Sequence, residues 1–281
     1  IPYPIVVGFT AGIALTILST QVNDFFGLGL KDLPGEFVSK WGVYFRNFDK
    51  IDVPTLIVAL ASLAVIIVTP KISKRIPGAL TAIILVTGAV ALMRTFFPEI
   101  AIDTIGDRFG AMKTDLPEVQ GFSLTMANIN LLLPSAFTIA VLGAIESLLS
   151  ATVADGVTGS HTSTNTELIG QGMANIVVPF FGGIPVTGAI ARTMTNITNG
   201  GRTPVAGVIH AVVLLLIYIF LMPLINYVPM ACLAAVLVIV SYNMSGWRTI
   251  AAMFRNPKSD ISVMVVTFLL KVVLDLTIAI E

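Results

Sequence analysis

Apolar positions run almost unbroken through long stretches of the chain, at about 4–28, 53–70, 77–98, 129–153, 166–181, 205–226, 228–243 and 260–280. A helix crosses a hydrocarbon core roughly 30 Å thick with about 20 such residues, so the pattern predicts eight spanning helices. A further element near 189–199 is different. It lies between the breaker-rich "PVTG" and "GGRTP", it carries Arg192, and it is too short to cross alone. Several spans are interrupted by Gly or Pro, which membrane helices tolerate where neighbours or a polar cavity satisfy the freed backbone groups.

The polar segments between the spans set the orientation. Lys71, Lys74 and Arg75 cluster in one short loop, and Arg248, Arg255 and Lys258 in another, which predicts that both are cytoplasmic. Alternation then places 29–52 and 99–128 outside and 154–165 inside. Arg202 falls inside as well, provided the short helix is paired with an extended stretch that completes one crossing. The broken helix is thus a requirement of the topology. In "GEFVSKWGVYFRNF", Phe37, Trp41, Tyr44, Phe45 and Phe48 recur at helical spacing, predicting an interfacial helix on the outer surface, and "GWRTIAAMFRNP" has the same look on the inner side. Gly8 and Gly12 match the small-xxx-small pattern of close helix packing.

Composition agrees with this picture: 56% of residues are hydrophobic and 11% charged, with a mean hydropathy of +0.92. Soluble domains carry about 25% charged residues. The balance of 16 basic and 16 acidic residues gives no basic surface for nucleic acid. The single cysteine, Cys232, lies in an apolar run and reads as core packing. The chain opens without Met and stops before its last apolar run is flanked, so it reads as an internal piece of a longer protein, without a signal peptide.

Few charges remain inside the apolar segments: Arg94, Glu146, Arg192, Lys271 and Asp275. Arg94, near a span end, is expected to snorkel. Lys271 and Asp275, four apart, share a helix face and are expected to pair. Glu146 has no basic residue in reach on its own helix, so it must be protonated, paired with another helix or exposed to water. Ser147, Ser150 and Gly143 make a polar cavity beside it plausible.

The short helix carries the clearest chemistry. Thr187 or Gly188 is expected to cap its start, leaving the N–H groups of Ala189, Ile190 and Ala191 without acceptors. Gly200 suits a left-handed residue after its end, and Thr203-Pro204 suits the N-cap and first turn of the next helix. A helix N-terminus holds about half a positive charge, and Arg192 adds a full one in the same turn, which is unfavourable unless an anion belongs there. Free N–H groups and a forked guanidinium together describe an anion site of the kind built by discontinuous transporter helices. Arg192 serving only as a structural partner of Glu146 is the rival reading, and the two can alternate. Asn196-Ile197-Thr198 is a chance glycosylation triplet, and His161 has no second ligand nearby. Thr164 to Glu167 reads as a capping box. No cofactor, metal or converging acid, base and nucleophile is indicated, which counts against an enzyme.

The blocks "ESLLSATVADGVTG", "NTELIGQGMANIVVPFFGGIPVTGAIARTMTNITNGGRTPVAG" and "LDLTIAIE", with the opening "PYPIVVGFTAGIALTILSTQV", resemble the SulP family of anion transporters, which includes sulfate permeases, bicarbonate transporters and prestin. The resemblance covers essentially the whole chain. It implies an all-α polytopic membrane fold of fourteen segments in two inverted seven-segment repeats, with core and gate domains and the anion between two half-helices. The chain is similar to segments five to thirteen: gate segments five to seven with an external linker at 1–128, core segments eight to eleven at 129–226, including the half-helix at 189–199, and gate segments twelve and thirteen at 227–281.

By the same resemblance the anion site maps to Ala189, Ile190, Ala191, Arg192 and Thr193, with Ala191 where several members have Ser. Glu146 falls at the acidic position linked to proton or sodium coupling. Elevator-like movement and a homodimer in the cell membrane are implied. Cyanobacterial sodium-coupled bicarbonate members carry Asp in place of Glu146 and lack the arginine, which favours proton-coupled uptake of sulfate, a related inorganic anion or a dicarboxylate. Negative charge arriving on Arg192 favours protonation of a nearby Glu146, so substrate and proton would travel together. Sodium-coupled bicarbonate transport, and an exchanger or channel in which Glu146 is structural, remain as alternatives.

Overall fold

The computed structural model describes residues 3–73, 76–97, 99–110, 119, 121 and 125–273, and for Ala191 the backbone alone. The described elements are helical. They are α1 (Tyr3–Phe26), α2 (Phe37–Arg46), α3 (Val53–Ile72), α4 (Gly78–Phe96), α5 (Ile105–Phe109), α6 (Met126–Thr158), α7 (Thr164–Val177), α8 (Ile190–Thr198), α9 (Val205–Ile225), α10 (Met230–Met244), α11 (Trp247–Met253) and α12 (Lys258–Val273). Six stretches are long and apolar enough to cross a membrane: α1, α3, α4, α6, α9 and Met230–Met253.

One expected span, at 166–181, comes out shorter. α7 has 14 residues, about 21 Å of rise, before a 3-10 turn at Val178–Phe181 replaces it. Pro179 cannot continue the N–H ladder, and Gly182, at φ 72°, takes the left-handed conformation that closes the turn. α12 is described for 16 residues, and the remainder of the 260–280 stretch, Asp275 included, falls outside the described residues. α6, in contrast, is longer than its apolar run, because Thr125 caps its start and Gly159, left-handed at φ 71°, ends it.

The chain divides into two compact units, residues 1–113 with 222–281 and residues 114–221. In the first, α3, α4 and α10 enclose an apolar core that includes Val58, Ala82, Val86, Ala231 and the fully buried Cys232. Gly78 lets α4 approach the Ile66 carbonyl of α3. α1 packs on α12 through the predicted small residues: a Cβ at Gly8 would strike the Met264 carbonyl oxygen, and one at Gly12 would lie 2.7 Å from Cγ of Lys271. Ser241 of α10 donates to the Ala14 carbonyl of α1.

Two surface expectations gain detail. α2 forms at the aromatic-rich stretch, Phe37–Arg46. Trp41, Tyr44 and Phe48 turn inward onto Val22 and Leu28, leaving Val38 and Phe45 outside, because its aromatic stripe is wide enough to cover the end of α1 as well. Arg94, in the last turn of α4, has fixed partners. It binds the Ile102 carbonyl and the carboxylate of Asp107, which is also the N3 member of a capping box with Thr104 at the start of α5. The Arg94 hydrogen bond, followed by those from Thr104, holds the Asp107 carboxyl below the usual carboxylate range. Arg108 pairs with Asp24 of α1 at 2.7 Å, and backbone bonds from Ile105 and Gly106 to Val228 and Asn226 fasten the same segment to the start of α10.

Candidate functional site

The second unit is built around α6. Its neighbour α8 is amphipathic: Ile190, Thr193, Met194 and Ile197, at i, i+3, i+4 and i+7, face inward, while Arg192, Thr195, Asn196 and Asn199 are exposed. α8 stops where glycine permits it. The Gly200 N–H bonds the Ile197 carbonyl at 3.0 Å and the Gly201 N–H the Asn196 carbonyl at 2.8 Å, a Schellman pattern with Gly200 at φ 95°. Asn196 is committed to this cap, since its side chain occupies the space where a Cβ on Gly201 would sit.

The start of α8 lies later than its sequence signals suggest. The N-cap is Ala189, extended at φ −117° and ψ 117°, with no side-chain cap hydrogen bond, and the first intrahelical bond runs from the Thr193 N–H to the Ala189 carbonyl at 2.9 Å. Thr187 and Gly188 are therefore not caps. The groups without intrahelical acceptors are the N–H groups of Ile190, Ala191 and Arg192. Thr187 is drawn away because its hydroxyl donates to the Gly143 carbonyl of α6 at 2.8 Å, and Gly188 lies against Ser147.

Residues 183–189 thus form a non-helical segment, extended at Ala189, that leads into α8. Its backbone is satisfied from α7: the Val186 N–H donates to Oδ1 of Asn175 at 2.8 Å, and the Val186 carbonyl accepts from Nδ2 of Asn175 at 2.8 Å and from Nε2 of Gln171. Outside a helix or sheet such groups need other partners, and here amide side chains provide them.

Glu146 has no hydrogen bond or ion pair among the described residues and faces a cavity of about 590 Å³ between α6, α7 and the non-helical segment. The walls are mostly apolar, with Leu132, Ile139 and Ala140 prominent and Ser135, Gln171 and Asn175 adding polarity. Ser147 and Ser150 do not contribute to it. Both are buried on other faces of α6, where Ser147 donates to Oε1 of Glu167 at 2.7 Å and Ser150 to Oγ1 of Thr193 at 2.9 Å. Thr193 keeps its own hydroxyl hydrogen for another acceptor.

Arg192 is exposed, lies outside the cavity lining, and has no carboxylate within ion-pair distance among the described residues. The structure does not pair it with Glu146. The capping box expected at Thr164 is also absent: Ser163 is the N-cap of α7, without a side-chain cap bond, and Glu167 turns to Ser147 instead. From the sequence, Glu167 is given only a capping role and Gln171 and Asn175 none, although the i, i+4, i+8 spacing of the three in a short apolar span is a signal. His161 is exposed, and the described residues hold no cluster able to bind a metal.

Spanning helices with a short helix entered through a non-helical segment define a polytopic membrane protein of the discontinuous-helix class. The chain belongs to the Sulfate permease family, whose profile matches residues 1–267. It is 41% identical over 280 residues to the putative sulfate transporter YvdB of Bacillus subtilis, covering 100% of this chain and 52% of that protein. Against the bicarbonate transporter BicA of Picosynechococcus it is 30% identical over 280 residues, covering 99% of this chain and 48% of that protein. The fold matches the transmembrane domain of a cyanobacterial BicA with a TM-score of 0.81 at 27% identity, over 100% of this chain and 69% of that one. It also matches SLC26A9 with a TM-score of 0.85 at 20% identity, over 100% of this chain and 44% of that one. The chain spans about half the length of the curated relatives it matches.

Proposed function

We propose that the chain forms the anion-carrying part of a secondary active transporter for sulfate, a related inorganic anion or a dicarboxylate, with protons as the coupling ion. The observation that carries this reading is the start of α8: three N–H groups without intrahelical acceptors, no side-chain cap, and an arginine in the same turn with no carboxylate partner among the described residues. Positive potential concentrated in this way is stabilised by an anion. The N–H groups of Ile190, Ala191 and Arg192 are the donors, the Arg192 guanidinium supplies the full charge, and Ala189 and Thr193 bracket the site. Glu146 is the coupling group, since it faces the cavity and has no cation within ion-pair distance among the described residues.

The likeness to a putative sulfate transporter supports the choice of sulfate. The likeness to BicA supports bicarbonate, with sodium coupling, as a second reading. In this scheme residues 129–226 are the moving core and residues 1–128 with 227–281 the gate, in an elevator-type cycle within a homodimer of the full-length protein.

The test is uptake of labelled sulfate, bicarbonate and fumarate into proteoliposomes holding the full-length protein, under inward proton or sodium gradients, for wild type and Glu146→Gln. Sulfate accumulation driven by protons in the wild type and lost in the variant is the expected result. Flux that ignores both gradients and the substitution makes Glu146 structural and overturns coupled transport. Sodium-driven bicarbonate uptake selects the second reading.

A further inference from the structure

We infer that the polar row of α7, Glu167, Gln171 and Asn175, is the positioning element of the anion site, fixing the direction in which α8 opens and thereby the affinity for the anion. The inference rests on the reading of the α8 start as that site.

The three residues are spaced by four and share one face of α7. Asn175 takes both the donor and the acceptor of Val186, as a neighbouring strand would, and Gln171 adds a second donor to the same carbonyl. One turn of helix earlier, Glu167 holds the buried Ser147 of α6. Ser147 in turn supports Gly188, where a Cβ would lie 3.4 Å from the Ser147 Cα, so the chain passes α6 at close range. α7 therefore grips the non-helical segment directly at Val186 and, through α6, again at Gly188. Only the N-cap residue Ala189 separates this grip from the free N–H groups of α8.

The amide chemistry is specific. Asparagine offers a donor and an acceptor at the same reach, aspartate offers acceptors only, and leucine offers neither. Gln171, Asn175 and Val186 also line the cavity that Glu146 faces, so the grip forms part of its wall. A displaced Val186 moves the wall and the start of α8 together. A group that only stabilised the fold would lower the amount of active protein and leave the affinity of the surviving molecules unchanged.

The experiment combines sulfate uptake by the full-length protein with amide hydrogen exchange of the peptide covering residues 183–192, for wild type, Asn175→Leu and Asn175→Asp. With both hydrogen bonds to Val186 removed, Asn175→Leu should raise KM by at least about tenfold, with Vmax per folded molecule little changed. Exchange should accelerate in 183–192 and stay unchanged in α3 and α4. Asn175→Asp, which keeps the acceptor for the Val186 N–H, should show a smaller rise in KM and slower exchange than Asn175→Leu. If Asn175→Leu does not assemble, Gln171→Met removes one of the two donors to the Val186 carbonyl and should give the same sign at smaller size. An unchanged KM with reduced Vmax, or exchange that does not change locally, overturns the inference. A wild type that takes up no tested anion defeats the transport reading instead, while the exchange arm still reports on the grip.

Discussion

Arg192 and Glu167 show how unevenly single residues can be read from sequence. Arg192 stands out because a cation in the first turn of a short helix opposes the helix dipole, and that conflict is local to the sequence. Glu167 is hidden for the converse reason. Its spacing after Thr164 satisfies a local capping pattern, yet its partner is Ser147, 20 residues earlier in the chain, and a tertiary hydrogen bond replaces the local one. Arg94 was likewise legible as a charge near a span end but not as the partner of Asp107, 13 residues on. That pair has a pH signature. The Asp107 carboxyl is lowered in the fold, so its contribution is fully present above the pKa it has when unfolded, about 3.9, and is lost as pH falls through its lower folded value. Both side chains are partly exposed, which limits the effect to no more than about 1 kcal/mol. Asp107→Asn should therefore lower the thermal midpoint at pH 7 by about 2 °C, with the gap to wild type persisting to pH 5 and closing only in stronger acid. A gap that is already closed at pH 5 contradicts the assignment.

Whole elements were the most legible level, because a span is written in about 20 consecutive residues and tolerates errors at any one of them. Ends were less legible. α7 gives way to a 3-10 turn inside an apolar run, and the start of α8 slides past Thr187 because that hydroxyl finds the Gly143 carbonyl. The Gly8 and Gly12 pattern, in contrast, was both legible and structurally meaningful, since backbone contact with α12 leaves no room for a methyl group at Gly8. Gly8→Ala should destabilise the full-length protein by about 1–3 kcal/mol, as overpacking does. Gly42→Ala in α2, where nothing lies within 4 Å of the added carbon, should be neutral or stabilising by up to about 1 kcal/mol. Thermal unfolding in detergent measures both. Equal loss in the two variants would mean that helix propensity, and not the α1–α12 contact, sets the outcome.

At the scale of the molecule, the two units differ in how they are held. The first has an extended apolar core in which Ala59, Ala82, Cys232 and Ala235 are fully buried. Within residues 114–221 the segment before α8 depends on side-chain hydrogen bonds for its backbone. A ligand that binds the folded site raises the free energy of local opening there. Saturating sulfate should therefore slow amide exchange in residues 183–198 of the full-length protein while leaving α3, α4 and α10 unaffected. At 100 times Kd the slowing corresponds to about 2.7 kcal/mol, or roughly a hundredfold in exchange rate for amides that exchange only through opening of the binding-competent state. In Arg192→Gln the protection should weaken at the same sulfate concentration. Protection spread evenly over both units would mean that the anion stabilises the fold as a whole, and the start of α8 would then not be where it binds.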